Sequence, residues 1–217
     1  MKVMRLNLSH GLIAGFLLAV APIGLASPSP AVAWAQAASS PVAPIESLYA
    51  ALTRMEKAGS SVPFEQRLST LTPAVDQAFD LPTVLRTSVG LRYNSLPTDQ
   101  KQKLLDVFRE FTVARYVSNF TNNSQDVLQV QPTARPSPYG SDQIVQTTIG
   151  SPSGSVTKVD YVMRRTPQGW RAVDVLLDGH ISQVAVQRSD FGSTVATGDA
   201  TPLIESLKKK IQSFSET

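Results

Sequence analysis

The sequence has 217 residues, 42% of them hydrophobic, with 20 Lys and Arg against 17 Asp and Glu and no cysteine. The absent cysteines exclude disulfides, thiol chemistry and zinc–thiolate sites. The near balance of charge gives no basic field for nucleic acid, so no nucleic-acid partner is expected.

At the start of the chain, Lys2 and Arg5 precede an apolar run over residues 11–21 that is short for a bilayer span. Small-residue sites follow at Ala31-Val32-Ala33, Ala33-Trp34-Ala35 and Ala35-Gln36-Ala37. This is the pattern of a secretory signal peptide, assigned to residues 1–37, and Pro22 interrupts any longer anchoring helix. Removing it takes two basic residues and no acid, leaving 18 basic against 17 acidic side chains. The exported remainder, residues 38–217, is long enough for one domain with a full core.

Apolar spacings of three and four predict helices over 45–58 (Ile45, Leu48, Leu52, Met55) and 63–79 (Phe64, Leu68, Leu71, Val75, Phe79). A short helix on Leu81, Leu85 and Val89 ends near Gly90, and a long one runs over 98–122, with Thr98 as its cap. The long helix carries a wide stripe of Leu104, Leu105, Phe108, Phe111, Thr112, Arg115, Tyr116 and Phe120, and Asn122-Asn123-Ser124 stops it. The period then changes to two. Strands are predicted over 127–131, 143–150, 156–166 and 169–177, closed by Asp178-Gly179. A helical stretch over 181–195 and an amphipathic helix from Pro202, with Leu203, Ile204, Leu207, Ile211 and Phe214, complete the chain. Helices, then consecutive strands, then helices is an α+β order: an antiparallel meander with one face under the long aromatic helix.

Residues 158–179 read as a hairpin about the loop Thr166-Pro167-Gln168-Gly169. In an unbroken ladder Arg165 opposes Trp170, Met163 opposes Ala172, Tyr161 opposes Asp174 and Val159 opposes Leu176. Directly opposed residues share a face, so Val159, Tyr161, Met163, Trp170, Ala172 and Leu176 make one apolar wall. Lys158, Asp160, Arg164 and Arg171 fall on the other side.

Catalytic signals are sparse. His180 is the one histidine beyond the leader, and no nucleophile elbow, metal-ligand spacing or phosphate loop is visible. Tyr161 opposite Asp174 is either a catalytic dyad or a structural hydrogen bond; the latter is the plainer reading. Lys208-Lys209-Lys210 is either an anionic docking patch or the solvated side of the last helix, with the second preferred.

The segments FDLPTVLRTSVGLRYNSLPTDQKQKLLDVFREFTVARYVSNF (79–120), VDYVMRR (159–165), GWRAVDVLLDG (169–179) and ISQVAVQRSDFG (181–192), in that order, resemble the periplasmic phospholipid-binding MlaC family, also called the toluene-tolerance auxiliary component. The likeness runs over residues 44–214, and residues 86–92 and 184–191 look closest to its hopanoid-associated branch, HpnM. The resemblance implies an α+β fold of helices wrapped around a curved, four-stranded antiparallel sheet of the nuclear-transport-factor type, enclosing an apolar pocket. It implies a periplasmic carrier, monomeric, with a phospholipid or hopanoid as cargo and no cofactor. That carrier would shuttle between an inner-membrane ABC transporter bearing MCE domains and an outer-membrane lipoprotein complex. The chain departs from many members in placing His180 between Asp178-Gly179 and Ile181-Ser182.

The expected pocket is lined by Val159, Tyr161, Met163, Ala172 and Leu176 from the sheet. Leu85, Val89, Leu104, Phe108, Phe111 and Tyr116 face them from the helices. Burying acyl surface at ~25 cal/mol/Å² suffices for strong binding without special chemistry, so no enzyme activity is expected. The alternatives are an isomerase or hydratase of polycyclic substrates using Tyr161, Asp174 and His180, and an adaptor with a filled core.

Overall fold

A computed structural model describes residues 40–59, 61–120, 126–195 and 198–216. The leader assigned to 1–37 and the helix stop at 122–124 lie outside the described residues. Six α-helices and a mixed-length antiparallel sheet stand in the expected order. None of these helices is long and apolar enough to cross a membrane.

Proline and glycine punctuate the helices as their backbone chemistry dictates. Helix α1 (Ala43–Ala58) has Pro44 in its first turn, where a missing N–H costs nothing, and ends at Gly59 with φ 75°. Helix α2 (Phe64–Ala78) buries Leu68, Leu71 and Val75. Helix α3 (Leu81–Val89) is capped by Asp80, whose Oδ1 accepts the Thr83 N–H at 3.1 Å, and runs into a 3-10 turn, Gly90–Ser95.

Helix α4 (Thr98–Asn119) departs from expectation at both ends. Pro97 occupies the cap position, and its carbonyl accepts the Lys101 N–H at 2.9 Å, so Thr98 is inside the helix and does not cap it. The last turn closes at Phe120, whose N–H bonds the carbonyls of Tyr116 and Val117. The helix is buried along two arcs, Leu104, Phe108 and Phe111 on one and Val113, Ala114 and Val117 on the other. Helix α5 (Gln183–Thr194) and helix α6 (Thr201–Ser215) complete the set. α6 lies along α4, with Leu203 and Leu207 at 1% and 0% exposure; full burial of each is worth about 1.5–3 kcal/mol.

The four predicted runs are the main strands: β1 (Val127–Val130), β3 (Gln143–Gly150), β4 (Val156–Thr166) and β5 (Gly169–Leu177). Two two-residue strands join them, β2 (Arg135–Pro136) beside β3 and β6 (Ile181–Ser182) beside β5, in the open order β1-β3-β4-β5-β6. The β4–β5 turn is tighter than read from the sequence. Thr166 pairs with Gly169, leaving only Pro167 and Gln168 in the loop, and Gly169 takes φ 104°, a conformation other residues rarely adopt.

The hairpin register holds only as far as Met163↔Ala172. A β-bulge follows, with Val162 paired to Asp174 and Val173 the extra residue. Beyond it Tyr161 opposes Val175, Asp160 opposes Leu176 and Val159 opposes Leu177. A contact from far along the chain meets the strand beside the bulge: the Asp80 N–H donates to the Ala172 carbonyl at 3.0 Å, and Phe79 bridges Ala172 in parallel. The bulge transfers Leu176 from the Tyr161 face to the opposite one.

The inner face therefore carries Val145 and Thr147 of β3, Val159, Tyr161 and Met163 of β4, and Ala172, Val175 and Leu177 of β5. The described core is one continuous apolar cluster joining this face to all six helices.

Candidate functional site

Between the inner sheet face and the C-terminal half of α4 lies a cavity of about 270 Å³. Its sheet wall is Ile149, Val159, Tyr161, Val175 and Leu177; its helix wall is Phe108, Phe111, Tyr116 and Phe120, with Leu81 and Val84 from α3, Phe79, and Val184 from α5. Polar side chains also line it: Arg115, Asn119, Gln183, Gln187, Asp126, Asp174, Thr112 and Thr157. Asn119 and Thr157 are exposed and mark the mouth, whereas Tyr161, at 2% exposure, lies at the inner end.

The cavity exists because rings prop its walls. Phe79 packs on Tyr161 and Tyr116 with centroids 6.1 and 5.9 Å apart, and Tyr116 stacks on Phe120 at 12°. On the other side Phe108 meets Phe191 of α5, and Phe111 meets Phe214 of α6. Each aromatic pair adds about 0.5–1.5 kcal/mol beyond its buried area.

At the mouth the Arg115 guanidinium donates to Gln183 Oε1 at 3.0 Å, and Gln187 accepts from Ser88 at 2.9 Å. No carboxylate within ion-pair distance of Arg115 is found among the described residues, leaving a cation beside an apolar space. At the inner end the hydroxyls of Tyr116 and Tyr161 are 3.3 Å apart, and Tyr49 bonds Thr147 at 2.6 Å. Burial pushes the phenols of Tyr49, Tyr116 and Tyr161 up from their ordinary value, so all three are neutral at physiological pH and none is poised as a base.

Of the eleven residues read from the sequence as pocket-lining, Phe108, Phe111, Tyr116, Val159 and Tyr161 are brought together around the cavity. Leu85, Val89, Leu104, Met163 and Ala172 are buried but off its surface, packed in the core behind it. Leu176 is a correction: the bulge puts it on the outer face, where it lines a separate groove of about 610 Å³ with Ile144, Val162, Val173 and His180. Sequence reasoning missed Val175 and Leu177, which take its place, as well as Val84, Ile149 and Val184. The alternation of β5 offered Val175 and Leu177 equally well; only the bulge selects them.

The cross-strand pair of the catalytic alternative is not formed, although Asp174 also lines the cavity. Tyr161 faces Val175, not Asp174. The Asp174 carboxylate instead secures the start of α5, accepting from Ser182 Oγ at 2.5 Å and the Val184 N–H at 3.1 Å, while Ser182 Oγ accepts the Ala185 N–H at 2.9 Å. Exposed His180 holds the Asp178 carbonyl through Nδ1 at 2.8 Å. Among the described residues no group of three or more His, Asp or Glu is placed to hold a metal ion.

The family model for "MlaC protein" matches residues 47–209. No curated protein matches the chain. Among solved structures, a phospholipid-binding protein from Ralstonia solanacearum, in complex with a phospholipid, superposes with a TM-score of 0.68 at 15% identity, covering 82% of this chain and 99% of the other.

Proposed function

The chain belongs to the MlaC family, and from that premise we propose that it is a non-enzymatic lipid carrier whose cargo occupies the cavity between α4 and the inner sheet face. One observation carries the reading: an aromatic and aliphatic space with a polar mouth, where Arg115 bonds Gln183 and makes no ion pair among the described residues. The acyl region would lie against Phe108, Phe111, Tyr116, Val159 and Tyr161, together with Val175 and Leu177, and a phosphate headgroup would meet Arg115 at the mouth. Leu85, Val89, Leu104, Met163 and Ala172 would back this wall without touching cargo. The bound phospholipid in the Ralstonia protein of the same fold supports the cargo class.

At about 270 Å³ the cavity stands at the lower edge of the ~300–1,000 Å³ typical of small-molecule sites, so a two-chain lipid would require the walls to part. The rest of the proposal follows family membership and the sequence. Residues 1–37 would direct export to the periplasm and leave a single lipid-binding domain over 38–217. A monomeric carrier would exchange cargo with an MCE-domain ABC transporter of the inner membrane and a lipoprotein complex of the outer membrane. Residues 86–92 and 184–191 support the hopanoid-associated branch, and with it a hopanoid-type lipid beside phospholipid as candidate cargo.

The test is native mass spectrometry of protein purified without detergent from a periplasmic extract, followed by solvent extraction and identification of what is released. About one lipid per chain is expected, lost on Arg115→Glu if the phosphate lies at the mouth. A uniformly unloaded protein that takes up nothing from liposomes would refute the carrier.

A further inference from the structure

The 3-10 turn between α3 and α4 projects one apolar side chain into solvent. Leu91 is 84% exposed, the most exposed large hydrophobic residue among those described. A single exposed leucine is ordinary on a protein surface; the surroundings of this one are not. Gly90, with φ 74°, carries no side chain, and the Arg188 guanidinium of α5 fills the space beside it, its Nε 3.3 Å from where a Cβ would stand. Arg92 reaches the end of α5, donating to the carbonyls of Gly192 at 2.5 Å and Val195 at 2.6 Å. Arg86, one turn back on α3, is exposed and donates to Thr83 Oγ1 at 3.4 Å. None of the three has a carboxylate within ion-pair distance among the described residues, although Asp190 is only two residues from Arg188 in the chain.

The turn is fixed in place. Ser95 Oγ donates to the Arg92 carbonyl at 2.9 Å and the Leu96 N–H to the Tyr93 carbonyl at 3.3 Å, while Arg92 pins it to α5. Leu91 is thus presented without an ordering cost on docking. A tip of one leucine offers far less than the roughly 1,000 Å² of a specific protein interface. A bilayer asks for no matching surface: the leucine enters among the headgroups, and the guanidiniums stay level with the phosphates. Three cations favour an anionic surface over a zwitterionic one. The tip also adjoins the cavity wall, since Ser88 in the last turn of α3 donates to Gln187, which lines the cavity and precedes Arg188.

We propose that Leu91, with Arg86, Arg92 and Arg188, is a membrane-docking tip that seats the protein on an anionic lipid surface. The inference goes beyond the carrier reading: it concerns where the protein rests, whatever its cavity holds.

The test is co-sedimentation of the purified protein with vesicles of phosphatidylcholine alone or mixed equally with phosphatidylglycerol, across a salt series. Binding to the mixed vesicles that weakens with salt is expected. Leu91→Ser should reduce it roughly tenfold or more, the worth of a leucine leaving water. Arg86→Gln and Arg188→Gln should each reduce it roughly fivefold and flatten its salt dependence. Arg92 is left in place because it holds α5. Equal binding to both vesicle types, or binding that these substitutions do not change, would overturn the proposal. So would binding lost only on reversing Lys208, Lys209 and Lys210 to Glu, which would move the docking face to α6. Absence of binding to either vesicle would overturn it too, leaving the arginines to an acidic protein. Native mass spectrometry of the same samples keeps the two readings apart: Leu91→Ser should carry as much lipid as wild type, and an unloaded wild type that still sediments would refute the carrier and leave the tip standing.

Discussion

The bulge in β5 makes two neighbouring residues into opposite experiments. Val175 lines the cavity and Leu176 lines the outer groove. In Val175→Trp the indole enters the space claimed for cargo, displacing on the order of four methylenes; at ~0.8 kcal/mol each this removes ~3 kcal/mol of binding, about 150-fold in Kd. Because the side chain enters an existing cavity, the unloaded protein should melt within a few degrees of wild type. In a packed core the same substitution would cost ~1–3 kcal/mol, a fall in Tm of roughly 2–12 °C for a chain of this size. Leu176→Trp should retain lipid. Lipid content by extraction and mass spectrometry, alongside thermal melts of delipidated protein, reads both quantities. Loss of lipid in Leu176→Trp with retention in Val175→Trp would mean the ladder is unbroken and the cavity assignment inverted. Collapse of Val175→Trp would mean a solid core.

Three further outcomes are expected. Asp174→Ala removes the charged acceptor that holds Ser182 and the Val184 N–H at the start of α5; it should cost about 3 kcal/mol, a Tm fall of roughly 6–12 °C, and Asp174→Asn less, as judged by melting curves. Tyr49, Tyr116 and Tyr161 have raised folded-state pKa values, so their contribution is fully present below the unfolded tyrosine pKa near 10 and lost above it. With three more protons bound folded than unfolded, stability should drop by as much as ~4 kcal/mol per pH unit above pH ~10, their phenolate absorbance appearing only with unfolding. A gradual titration of all tyrosines in still-folded protein would contradict this. Reversing Lys208, Lys209 and Lys210 to Glu should leave lipid loading unchanged, because all three are exposed while Leu203, Leu207 and Ile211 of the same helix face inward; lost loading would tie the patch to cargo.

What the sequence disclosed depended on the range of the physics involved. Helix limits at Gly59, Pro82 and Gly90 are local backbone effects and were readable, as were the four main strands from their period of two. The cap of α4 failed because Thr98 competes with Pro97 for a position that propensity alone does not assign. Helical spacing marked Leu85, Val89 and Leu104 as buried, and they are. It could not separate residues that pack against another helix from those that border a void, since both need the same apolar stripe. The bulge was invisible for a different reason: the period of two runs through it unbroken, and the contact beside it comes from Asp80, whose N–H engages β5 from beyond the end of α2.

The bulge makes Val173 a spacer between two reading frames of one strand, with consequences for how the gene can vary. A missense change at Val173 alters one side chain on the outer face. An in-frame deletion of its codon would instead remove the extra residue and leave a regular ladder, with Ala172, Asp174 and Val175 still opposite Met163, Val162 and Tyr161. Val175 and Leu177 would keep the inner face and Leu176 the outer one, so the cavity wall would survive while the local twist of the bulge is lost. Because Val173 is only 7% exposed, substitution is the harsher change here, and scanning β5 by both means would separate the two: loss of this one residue should spare lipid loading more than a large polar side chain placed there.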